Sequence, residues 1–353
     1  MSVWVNLQSK GIAPLIRRLP GLLIAVLLSL VASHAVAQLQ VLEPSVPGTG
    51  MEGPCATPEF TIAAMPWPSG TILAHIHARL IEENFGCRVR VVTGDPSATL
   101  SAMAATRQPA AAPESWASRV PEAWNAAVQA GGVRSAGPTF SGGPLEAWFV
   151  PAYVVANNPG LTSASALADH WQVFAGEEGE EARFLSCPED WACSMLNRNL
   201  LSAFGLGEHF ALVEPTDRAD LDQTLAASVA ENRPVLAYYW QPNALVARLD
   251  LVALDMGGFD ENAMFCAAQP DCVPFTPSSF PEETVVNALA DWVFSDAPLI
   301  AGYFERARMP IAEMNQLLAW QIDNSAEAGE VAEHFVATRQ EVWQGWVGER
   351  PEG

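Results

Sequence analysis

The sequence predicts an α/β protein made of two units, each built on a largely parallel sheet. Three observations carry that expectation. From Phe60 onward, short apolar strand patterns alternate with amphipathic helix patterns. A turn-rich break, "GPTFSGGP" at residues 137–144, interrupts the alternation, and a second α/β unit follows it. The length, 353 residues, suffices for two cores of ordinary size.

Taken in order, residues 38–54 are rich in Pro and Gly and form a loose leader. "FTIAAMPW" reads as a buried strand and "TILAHIHARLIEENFG" as the helix after it. "CRVRVVTG" is the next strand, "ATLSAMAATRQ" a helix, and "PAAAPESW" a short strand running into a loop. Beyond the break, "LEAWFVPAYVVA" has a strand pattern. "CPEDWAC", the helix "SMLNRNLLSAFG", and the strands "PVLAYYW" and "LDLVALDM" follow. After an irregular stretch, the chain from about Glu282 reads as mainly helical, beginning with "TVVNALADWVFS". The two irregular stretches divide the chain into 38–141 plus 256–353 as one unit and 142–255 as the other. "GEEGEE", residues 176–181, lacks the alternating oxygen ligands of a calcium loop and reads as a solvated acidic loop.

The formal net charge of -22 argues against a nucleic-acid partner, because phosphate binding needs a basic face. Arg17 and Arg18 precede the apolar run "LPGLLIAVLLSLVA", and "AVA" at Ala35 to Ala37 fits a small-residue cleavage site. The expectation is a signal peptide over residues 1–37 and an exported, periplasmic protein that is not an integral membrane protein. An oxidising compartment makes the six cysteines a disulfide set. Spacing favours Cys187 with Cys193 and Cys266 with Cys272, leaving Cys55 with Cys87. Zinc is the competing reading, but neither local pair has a zinc-knuckle gap and no histidine is close by. No metal or other cofactor is expected.

Most tryptophans sit in helical or terminal patterns, where core packing is the default role. Four sit elsewhere. Trp67, Trp116 and Trp240 lie at or just after strand ends, and Trp191 just before a helix. In open α/β sheets ligands bind at the carboxyl ends of strands and at helix N-termini. A quaternary ammonium has no N–H to donate and is held by indole faces. The ring closed by Cys187 and Cys193 would hold Trp191 as one wall. It would also aim the backbone N–H groups of Ala192 and Cys193 at an anion, so a betaine would match both features. Trp148, within a strand pattern, and Tyr153 are further candidates.

"CPEDWAC", then a helix, then "AYYWQP", together with "ESW" and "EAWFVPAYVV", resemble the glycine betaine/choline-type substrate-binding proteins of ABC importers. The resemblance runs through nearly the whole chain after the signal segment. It implies the type II periplasmic-binding fold, two α/β lobes joined by two crossover segments around a ligand cleft. It also implies an aromatic box of Trp116, Trp191 and Trp240, and an importer's permease and ATPase subunits as partners of a monomeric binding protein. Some members carry a histidine one turn after the first box tryptophan. Here the region reads "WASRV", and Arg119 becomes the candidate for a ligand carboxylate. An enzyme is the reading from another class, but G-x-S-x-G, H-E-x-x-H and P-loop motifs are absent. A binder of a different small carboxylate or amine, or a periplasmic adaptor without a transport role, stays open.

Overall fold

The computed structural model describes residues 53–143, 145–176 and 181–348. The expected signal segment, most of the leader and the middle of the acidic loop lie outside them. In chain order the strands are β1 (Phe60–Ala64), β2 (Val89–Thr93), β3 (Ala111–Trp116), β4 (Val133–Pro138), β5 (Phe140–Ser141), β6 (Glu146–Pro151), β7 (Ala182–Leu185), β8 (Phe210–Val213), β9 (Leu236–Trp240), β10 (Leu251–Ala253), β11 (Val285–Ala290) and β12 (Met309–Pro310).

They form two five-stranded sheets and a small ribbon of β12 and β5. The first sheet has the order β2-β1-β3-β11-β4, with β1 parallel to both neighbours and β11 antiparallel to β3 and β4. The second has the order β10-β6-β9-β7-β8, with β7 parallel to β8 and β9, and β6 antiparallel to β9. Each sheet has its own core. Phe60, Ile62, Leu289 and Tyr303 are buried in one, and Trp148, Phe184, Leu236 and Tyr239 in the other.

Local sequence accounts for how the first strands feed the site. β1 is apolar except for Thr61 and is buried along its whole length, as a strand covered on both faces must be. Pro68 then starts the helix Pro68–Phe85, where its missing N–H costs nothing. Gly86, at φ 69°, ends that helix in the left-handed conformation. β2 returns beside β1 with Phe60 opposite Val89, which brings Cys55 and Cys87 together in a disulfide with Cα atoms 6.0 Å apart. Cys187–Cys193 and Cys266–Cys272 are also bonded.

Three expectations need correction. "TVVNALADWVFS" does not begin as a helix: Val285–Ala290 is β11, paired on both sides within the first sheet. All six of its residues are buried, so no period of two marks it as a strand. The strand in "LEAWFVPAYVVA" stops at Pro151, and Ala152–Asn157 is helical. Finally, the cores do not divide at Asp255, because Met256, Met264 and Phe280 pack into the second core. Asn199 supports the same attachment, its amide donating to the carbonyl of Ala267 at 2.8 Å.

Candidate functional site

A cavity of about 650 Å³ is lined by residues that pack with both cores. That volume suits a small organic ligand. Trp67 and Trp116 come from the first-sheet side and Trp240 from the second. Trp67 is the residue before the helix Pro68–Phe85, while Trp116 and Trp240 end β3 and β9. All three are half-buried, which leaves indole surface for a ligand. Trp191 is not among the lining residues, but its ring centroid lies 5.9 Å from that of Trp240.

Glu114 organises the first-sheet side. It lines the cavity and is 1% exposed. Three donors converge on its Oε1: the indole N–H of Trp67 at 2.7 Å, that of Trp116 at 3.0 Å, and the Ser69 hydroxyl at 3.1 Å. Its Oε2 is buried and has no hydrogen-bond partner among the described residues. Burial pushes the carboxyl up to about 7, against the pull of the three hydrogen bonds from Trp116, Ser69 and Trp67. Sequence reading passed over Glu114 because its partners Trp67 and Ser69 are remote in the chain. One signal was present. Glu114 and Trp116 are two apart on a strand, so they share a face that is otherwise apolar.

The cavity's arginines are paired. Arg119 donates to Glu146 Oε1 at 2.7 Å and also bridges to Glu283. The pairing follows from register: Glu146 lies opposite Trp240 across β6 and β9, and Trp116 lies opposite Val285 just after Glu283. Arg248 reaches Asp323 at 3.2 Å. Arg218 is held more loosely, 3.6 Å from Asp222, and its guanidinium lies 5.2 Å from the Trp240 ring centroid. Asp222 also accepts the Tyr239 hydroxyl at 2.6 Å.

The family of substrate-binding domains of ABC-type glycine betaine transport systems matches residues 58–338. The chain belongs to this family. Its members are substrate-binding transport proteins rather than enzymes. Solved structures agree on the fold. A glycine betaine/carnitine/choline ABC transporter protein is 15% identical with a TM-score of 0.55, covering 80% of this chain and 99% of that one. Lactococcal OpuAC, solved closed with glycine betaine, is 13% identical with a TM-score of 0.50, covering 82% and 100%. The fold is the type II periplasmic-binding fold.

Within this member of the family, not every expected site residue lines the cavity. Trp148 is fully buried, donates to Asn197 Oδ1 at 2.9 Å and packs on Phe184 and Phe204. It is a core residue, because its position on β6 points it into the second core. The Tyr153 hydroxyl donates to the Arg233 carbonyl at 2.8 Å, and Tyr153 is not a lining residue. Ala192 and Cys193 open the helix Ala192–Ala203 but do not line the cavity either. No helix among the described residues is long and apolar enough to cross a membrane.

Proposed function

We propose that this chain binds a small quaternary ammonium compound, such as glycine betaine, proline betaine or choline, in the tryptophan-lined cavity. It hands that ligand to the permease of an ABC importer and works as an exported, periplasmic monomer. The observation that carries the reading is the meeting of Trp67, Trp116 and Trp240 from both sheets around one cavity, with Trp191 against Trp240. Each desolvated cation–π contact contributes up to about 2 kcal/mol, so three faces supply about 6 of the roughly 8 kcal/mol of a micromolar complex. The rings also have to be held in advance, and the bonds from Trp67 and Trp116 to Glu114 support that. The signal-like N-terminal run supports export.

The same reading divides the protein into two lobes with the cleft between them, residues 142 to about 280 forming the second. The placement of Met256, Met264 and Phe280 supports that boundary. For the betaines in that range, Arg218 is the candidate partner of the ligand carboxylate. It lines the cavity with only a loose partner, whereas Arg119 is engaged by two carboxylates. Mass spectrometry of the small molecule released from natively purified protein tests the proposal. A quaternary ammonium is expected; a ligand without a cationic centre would overturn it.

A further inference from the structure

Among the cavity's charges, Glu114 stands apart. Arg119 faces Glu146 and Glu283, Arg218 faces Asp222, and Arg248 faces Asp323. Glu114 has only neutral partners, two indoles and a hydroxyl, all on Oε1, and its buried Oε2 has none among the described residues. A carboxylate in this position, once ionised, has no ion-pair partner among the described residues. A cation resting on Trp67 or Trp116 would lie close to it, since both indoles touch it directly.

We propose that Glu114 is a specificity-determining residue whose carboxylate serves as the counter-ion of the bound organic cation, while its Oε1 holds Trp67 and Trp116 in place. The inference rests on the cation-binding reading above and names the group that selects for positive charge. It favours a ligand whose cation is not accompanied by its own carboxylate close by, that is, a choline-like monocation over a short betaine.

Binding is then coupled to a proton. In the empty cavity, burial keeps much of Glu114 protonated at neutral pH. Arrival of a permanent cation favours the carboxylate, and the proton leaves to the buffer. The surroundings give no competing source. β1 carries no titratable side chain, β11 none, and the helix Pro96–Thr106 none. On the helix Pro68–Phe85, Arg79 is engaged by Glu83 and Glu333, and His77 faces Tyr303, Phe304 and Trp346. His75 on that helix lies beside Gly329, away from the cavity lining, and Glu82 accepts from the Val89 N–H. The arginines and acids that share the cavity with Glu114 are the pairs just named.

Calorimetry of choline, tetramethylammonium and glycine betaine at pH 7, in phosphate and in Tris, tests this. The two buffers differ in ionisation heat, so proton release shows as a buffer-dependent enthalpy. For wild type, about half a proton per ligand is expected near pH 7, rising towards one at pH 6. Glu114→Gln keeps an acceptor for both indoles and removes the charge. It should abolish the buffer dependence and weaken choline and tetramethylammonium roughly tenfold or more, with a smaller loss for glycine betaine. Glu114→Asp should retain the buffer dependence. Binding without proton release in wild type, or choline bound as tightly by Glu114→Gln, would overturn this inference and leave the cation site standing. No binding of any of the three would overturn both.

Discussion

Replacing Arg119 with alanine removes one guanidinium that holds two carboxylates. The Arg119 side chain is 56% exposed, so each bridge is screened and is worth about 0.2–1 kcal/mol when taken as a surface pair. The Glu283 side chain is only 9% exposed, and leaving it unpaired adds a desolvation cost. A stability loss of about 1–3 kcal/mol is expected, shrinking in 1 M salt, where the screening length falls to about 3 Å. The ligand effect follows from the same pairing. With both carboxylates already on Arg119, a ligand carboxylate has little to gain there, so Arg119→Ala should change choline and glycine betaine affinities by the same factor. Calorimetry with both ligands, beside urea denaturation at low and high salt, reads both outcomes. A loss confined to glycine betaine, with choline untouched, would show that Arg119 receives the ligand carboxylate and that the pairing seen here yields to it.

Alanine at Trp67, Trp116 or Trp240 should weaken binding of the protein's own quaternary ammonium ligand by about ten- to hundredfold, and phenylalanine by less, as titration by intrinsic fluorescence or calorimetry can read. Trp148→Phe and Tyr153→Phe should leave that affinity unchanged, while Trp148→Phe lowers thermal stability by leaving buried Asn197 short of a donor. His77 is buried and burial pushes it down to about 3, so the folded state keeps it neutral while the unfolded chain protonates below about 6.5. Stability should therefore fall as pH drops from about 6.5 towards 3, by up to about 1.4 kcal/mol per unit from this group; an equally steep fall in His77→Gln would exclude it as the cause. Cys187→Ser with Cys193→Ser should cost about 2 kcal/mol of stability and loosen Trp191, and an unchanged ligand affinity would show that the ring is only a loop staple.

Much of this protein was legible in the sequence because the relevant physics is local. The alternation of strand and helix patterns follows from backbone periodicity, and the ring around Trp191 follows from two cysteines six apart. Trp116 and Trp240 sat at strand ends, where the geometry of an α/β sheet puts ligands whatever the rest of the chain does. The misses have a common cause, which is that they depend on partners remote in the chain. β11 is buried on both faces by neighbours that arrive from elsewhere, so it carries no alternation to read. Trp148 lies within β6 and Trp67 just after β1; the pleat and the packing of the second core turned one inward, and the bond to Glu114 set the other against the cavity. Arg119 looked free because Glu146 and Glu283 reach it only once β6 and β11 are in register with β9 and β3. Glu114 makes the same point most sharply. An acid inside a short strand is unremarkable in a string of letters, and only the folded chain brings two indoles and a hydroxyl to one of its oxygens and leaves the other with no partner among the described residues.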